Sequence, residues 1–160
     1  MSAAGEDIKA LLQDLLAQEE RCQFTKFTSD DALKLGLLIL ENAKAYTRPI
    51  VLDINLAGHQ LFHFAMQGTG PDNNEWVARK NKAVLRFRHS SYYLGRYCAS
   101  QNKTLEEKYY VSEKEYACHG GSFPLIIKDV GVVGTITVSG LAQQDDHGLV
   151  VKSIEQFLGQ

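Results

Sequence analysis

The sequence predicts an α+β fold: one domain over 1–160, with an antiparallel sheet of about five strands and helices packed against it. Three observations carry that expectation. Segments 50–66 and 123–138 alternate with period two and reverse at glycine-bearing turns, as hairpins do. Segments before, between and after them repeat apolar residues at helical spacing. The chain is 160 residues long, enough to bury one core without disulfide or metal staples.

Ile8, Leu11, Leu12, Leu15 and Leu16 make residues 5–20 an amphipathic helix, with Asp7, Lys9, Asp14 and Glu19 on its wet side. Alternation over 23–27 suggests a short strand. Thr28-Ser-Asp-Asp31 supplies an N-cap and first-turn carboxylates for a second helix, which continues through Leu33, Leu37, Leu40 and Ala43. Arg48-Pro49 ends it, because a residue before proline is pushed from the α region. Strands 50–56 and 60–66 follow, joined at Ala57-Gly58-His59, and 68–74 is a loop. Residues 74–99 hold no proline and place Trp76, Val77, Ala83, Val84, Phe87, Ser90, Ser91 and Leu94 on one stripe, which predicts a single long helix. Capping boxes at Thr104 and Ser112 predict short helices over 105–117. The chain closes with strand 123–128, a turn at 129–131, strand 132–138 and a helix over 145–158, its caps supplied by Asp145 and Asp146.

Charge is balanced, 17 Lys+Arg against 19 Asp+Glu, so no global field points to nucleic acid. No run approaches the roughly 20 apolar residues of a membrane span. Three scattered cysteines, Cys22, Cys98 and Cys118, form no zinc or disulfide pattern and suit a reducing compartment, hence a cytoplasmic protein.

Three segments together resemble a known family: 74–87 with Ser90-Ser91, His119-Gly-Gly-Ser-Phe-Pro124, and 133–141 followed by Asp145-Asp-His147. The chain is similar over nearly its whole length to the heme-degrading-domain superfamily of GlcG-like and HbpS-like proteins, within its short cytosolic branch. That resemblance implies an α+β fold, homo-oligomers, and heme binding or breakdown in some members. In at least one member it implies a partner-binding role linked to tail-anchored protein delivery. It carries no heme ligand onto a particular residue of this chain.

Candidate ligand-binding residues come from three places. His119, Gly120 and Gly121 form a turn whose glycines allow close backbone approach, beside an imidazole able to act as donor, base or metal ligand; Cys118 adjoins it. Ser139 and Gly140 end a strand just before a helix, a corner suited to an anion. Arg79, Lys80 and Arg86 come from the basic 74–99 helix; Arg79 and Arg86 share a face with Lys82, while Lys80 sits nearer the apolar stripe. Each group has a plain structural reading too: a turn entering a strand, an ordinary N-cap, a solvated helix face. His59 and His63 lie four residues apart on a strand, ~13 Å, too far to share one ion. Tyr92, Tyr93, Tyr97, Tyr109, Tyr110 and Tyr116 suit an oligomer contact. No arrangement marks a catalytic residue or a metal site. The expectation is a cytosolic oligomeric module binding a small planar or carboxylate-bearing ligand, with heme as the superfamily's precedent. The alternative is a non-enzymatic adaptor or scaffold for other cytosolic proteins; an enzyme ranks third.

Overall fold

The computed structural model describes residues 3–159; Met1, Ser2 and Gln160, part of the expected domain, lie outside the described residues. Ten elements run α1 (Ala3–Arg21), α2 (Ser29–Ala43), β1 (Val51–Leu56), β2 (His59–Ala65), α3 (Pro71–Phe87), α4 (Ser91–Ser100), α5 (Leu105–Tyr109), β3 (Ser122–Ile127), β4 (Gly131–Ser139) and α6 (Gln143–Phe157). The two hairpins join through an antiparallel β1–β4 pairing into a four-stranded sheet of order β2-β1-β4-β3. The short strand expected at 23–27 contracts to a single parallel bridge, Phe24 to Ile127, along the β3 edge.

The period-two alternation gives the sheet two unlike faces. Leu52, Ile54, Phe123, Leu125, Ile136 and Val138 share one, and α2 and α6 close over it with Leu35, Ile39, Leu149, Val150 and Ile154, all buried. Asp53, Ser122, Thr135, Thr137 and Ser139 share the other, also buried, beneath α3. That second face is held by hydrogen bonds. Asp53 accepts from Gln60 Nε2 at 2.6 Å, His63 Nδ1 at 3.0 Å and Asn81 Nδ2 at 3.2 Å, and from the Asn55 amide. The Asn81 carbonyl in turn accepts from the Ser122 hydroxyl at 3.2 Å and from that of Thr137. A buried carboxylate with that many donors is a fully satisfied seam rather than a defect.

Helix α2 ends at Ala43, before Arg48-Pro49, α3 begins at Pro71 inside the expected 68–74 loop, and of the short helices expected over 105–117 only Leu105–Tyr109 forms. Two further expectations are corrected. The long helix over 74–99 is two helices: Arg88 adopts left-handed backbone (φ 62°) and Ser90 caps α4, its hydroxyl accepting from Tyr93 N–H at 3.1 Å. Helix α6 starts two residues earlier than expected, with Ala142 at the cap, so Asp145 and Asp146 are not its caps. The tyrosines are spent largely inside the chain. Tyr109 and Tyr116 pack on Phe87 around a small second core of Cys98, Leu105 and Val111, and Tyr92 lies against His147; Tyr110 alone stands well out. Among the described residues no helix is long and apolar enough to cross a membrane.

Candidate functional site: the cleft between α3 and the β4–α6 corner

The floor of the cleft follows from the buried stripe of α3. Val77, Lys80, Ala83 and Val84 face the sheet, so the Lys80 side chain is carried inward to 3% exposure. Its ammonium lies 3.3 Å from Val138 O and 3.4 Å from Asp146 Oδ2, where it donates. Asp146, 2% exposed, uses Oδ1 to accept Leu141 N–H at 2.9 Å, just ahead of α6. Burial lowers the Lys80 pKa, partly countered by Asp146. Burial likewise pushes Asp146 up to about 6, against the pull of Lys80. Each charge is expensive alone and tolerable with the other.

Two glycines let the chain close around that pair. Gly121 has φ 140°, and a Cβ there would fall 2.3 Å from Val138 O and 2.6 Å from Lys80 Nζ. Gly140 has φ 144°, and a Cβ would fall 2.3 Å from Pro49 O. Both positions therefore require glycine for packing. The Gly120 N–H donates to Gln143 Oε1 at 3.1 Å, which ties the turn to the start of α6 rather than leaving that amide for an anion.

The rim is aromatic. Trp76, the sole tryptophan, meets the His119 ring edge-on at 5.0 Å, and the Arg79 guanidinium covers it at 4.3 Å. His119 is exposed and makes no hydrogen bond among the described residues. Partial burial, then the charges of Lys80, Arg79 and Arg96, lower its pKa and keep the imidazole neutral at physiological pH. Arg48 and Asp72 stand at the mouth. The space enclosed is about 310 Å³.

Lys80, His119, Gly120, Ser139 and Gly140 thus converge on one cleft, with Gly121 packed behind Lys80. Arg79, Arg86 and Cys118 do not line it. Arg79 donates to Glu113 O at 2.7 Å and backs Trp76. Arg86 donates to the Tyr116 hydroxyl at 3.3 Å on the outer surface. Cys118 sits against α4, where a Cβ on Gly95 would fall 2.0 Å from its carbonyl oxygen, and burial pushes its thiol up to about 11. A thiol so raised is no nucleophile at neutral pH. The sequence reading missed Arg48, Asp72, Asn73, Leu141 and Gln143 as lining residues, and took Trp76 for stripe and Asp146 for cap. Only the lone tryptophan beside a glycine-rich loop carried a usable signal.

A family model described as "Haem degrading protein HbpS-like" matches residues 27–155. The chain belongs to the HbpS-like family. A UPF0303 protein of Streptomyces coelicolor is 46% identical over 147 residues, covering 92% of this chain and 93% of that protein. The crystal structure of Ybr137w protein superposes with TM-score 0.85 at 39% identity, over 92% of this chain and 87% of that one. The structure of a PduOC:heme complex, at 17% identity and TM-score 0.67 over 80% of this chain and 92% of that one, shares the fold. The α+β expectation and the resemblance both hold.

The residues of the cleft do not fit a heme. Among those lining it only Trp76 and Leu141 are largely apolar, while Lys80, Asp146, Asp72 and Arg48 carry charge. Seating a porphyrin face there would strip water from those charges without replacing it.

Proposed function

We propose that this HbpS-like protein is a small-ligand binding module whose cleft takes a compact carboxylate-bearing molecule. The supporting observation is the set of groups at one cavity: a neutral, unbonded imidazole, the only tryptophan, and an arginine at the mouth with no ion pair among the described residues, over a buried lysine. Arg48 meets the acid group with its fork of donors. His119 and the Ser139 hydroxyl provide hydrogen bonds, and Trp76 and Leu141 cover the apolar part. Lys80, half-compensated by Asp146, keeps the floor from repelling an anion. Arg79 contributes through Trp76; Arg86 and Cys118 stand outside the proposal. We place the protein in the cytosol, in keeping with its three free thiols. An adaptor role finds support in a separate feature, the exposed Leu33, Leu37 and Phe64 of α2 and β2.

Titration with a panel of small mono- and dicarboxylic acids, read by Trp76 fluorescence, tests the reading, with hemin as a parallel arm because a heme-binding neighbour shares the fold. One or more acids should saturate at one per chain, and Arg48→Ala and His119→Ala should each weaken that binding roughly tenfold or more. A saturable Soret shift that depends on His119 would replace the acid with heme. A flat response to every acid, with an unsaturating response to hemin, removes the cleft as a binding site.

A further inference from the structure

Lys80 is the one buried lysine among the described residues, yet it lines an open cleft rather than the apolar core. An ammonium has three hydrogens to donate. Two are spent on Val138 O at 3.3 Å and Asp146 Oδ2 at 3.4 Å, and the third has no acceptor among the described residues. Both bonds are longer than the about 2.8 Å usual for an ammonium on oxygen, so neither partner pins the amine tightly. Gly121 keeps side-chain atoms away from it, since a Cβ there would fall 2.6 Å from Nζ. Burial favours the uncharged form of both members of the pair. It lowers the Lys80 pKa, which Asp146 counters and the neighbouring Arg79 charge lowers further, and it raises Asp146 to about 6. Passing the proton from Nζ to Oδ2 therefore costs less here than in water, and it leaves a neutral amine beside a carboxylic acid. That is a nucleophile with its own proton carrier.

We propose that Lys80 condenses with the carbonyl of a 2-oxo acid, so that the cleft holds its ligand through a reversible Schiff base. That ligand is the carboxylate-bearing molecule of the proposed function made specific, and the step rests on that reading. Arg48 takes the acid group, and the adjacent carbonyl carbon is the atom that Nζ attacks. The nitrogen lone pair forms the C–N bond while the π pair of the carbonyl moves to its oxygen. Asp146 gives its proton to that oxygen and recovers one from nitrogen, which completes a carbinolamine. The nitrogen lone pair then forms the C=N bond as the C–O bond breaks, and Asp146 delivers its proton to the departing hydroxyl. The products are a protonated imine, one water and the Asp146 carboxylate. A cation on nitrogen faces an anion on Oδ2 before and after the step, so no buried charge is left alone. A simple carboxylic acid gains only the Arg48 contact and cannot condense.

Trapping with sodium cyanoborohydride tests the step on the full-length wild-type chain. Pyruvate and 2-oxoglutarate serve as probes, with lactate as the acid that lacks the carbonyl. The intact mass should rise once per chain by the mass of the oxo acid less one oxygen atom, and peptide mapping should place the adduct on Lys80. Lactate should leave none. Lys82, exposed and two residues along, is the internal comparator and should carry roughly tenfold less adduct. Lys80→Arg, checked for native circular dichroism, should carry none on that peptide, and Asp146→Asn should slow trapping roughly 100-fold. Oxo acids that saturate the Trp76 fluorescence of wild type yet leave no adduct on Lys80 overturn the Schiff base and leave the carboxylate reading standing. Labelling of exposed lysines at the level of Lys80 does the same. A fluorescence response flat to every acid, with no adduct, overturns both.

Discussion

Asp146 and His147 are sequence neighbours, both buried, and burial drives them in opposite directions. His147 Nε2 donates to Gln18 Oε1 at 2.7 Å while Nδ1 has no partner, and burial pulls its pKa from 6.5 down to about 4. The unfolded chain therefore binds that proton first, and stability falls as pH drops from 6.5 through 4. Asp146 is raised from 3.8 to about 6, so its contribution is full below 3.8 and is lost as pH rises through 6. Each effect is on the order of 3 kcal/mol, and over pH 4–6.5 they oppose one another. We expect His147→Gln to leave a protein whose melting temperature, compared with wild type, falls as pH rises from 4.5 to 6.5. Asp146→Asn should show the reverse slope. Parallel profiles for the two variants would contradict the burial account. The sequence placed Lys80 toward the apolar stripe, and that side is where the cleft lies. Arg79 and Arg86, expected among the ligand-binding residues on the face they share with Lys82, turn instead to Glu113 O and the Tyr116 hydroxyl, and neither lines the cleft. What periodicity could not tell is that a lysine so placed would find a carboxylate waiting from a helix 66 residues later.

At the scale of elements, both hairpins and α2 were legible because their signals are local: alternation, a glycine turn, a capping box. The break between α3 and α4 was not. It turns on Arg88, an ordinary residue held in left-handed backbone with no glycine or proline to announce it, and Ser90 looked like part of a continuing stripe. Two substitutions test that description. Arg88→Gly removes the strain of a side chain at positive φ and should stabilise the protein by about 1 kcal/mol. Ser90→Ala removes the α4 cap and should destabilise it by about 1 kcal/mol, more if the half-buried Tyr93 N–H stays unpaired. Urea denaturation with equal slopes would report both; an unchanged midpoint in either would refute the capping role.

Over the whole molecule, the sheet separates two kinds of cohesion. Its apolar face is closed by α2 and α6 through hydrocarbon packing; its polar face binds α3 through Asp53, Asn81, Ser122 and Thr137. The alternation of β4, Thr-Ile-Thr-Val-Ser, was visible in the sequence, but what covers its hydroxyl face was not; the fold supplies α3 there. Because the same helix carries Trp76 and Lys80, the seam positions the cleft. Asn81→Leu should destabilise the fold by roughly 2–4 kcal/mol, since it strands several buried donors and acceptors at once. A near-neutral result in chemical denaturation would mean that the seam is not what holds α3. The most direct test of the central claim is a map of amide and indole shifts in nitrogen-15-labelled protein, titrated with the acid that saturates Trp76 fluorescence. Shifts should concentrate on the Trp76 indole and on His119, Gly120, Gly140 and Leu141. Shifts confined to the second cavity, beside Asn55, Gly58 and Thr135, or spread thinly over the surface, would contradict it.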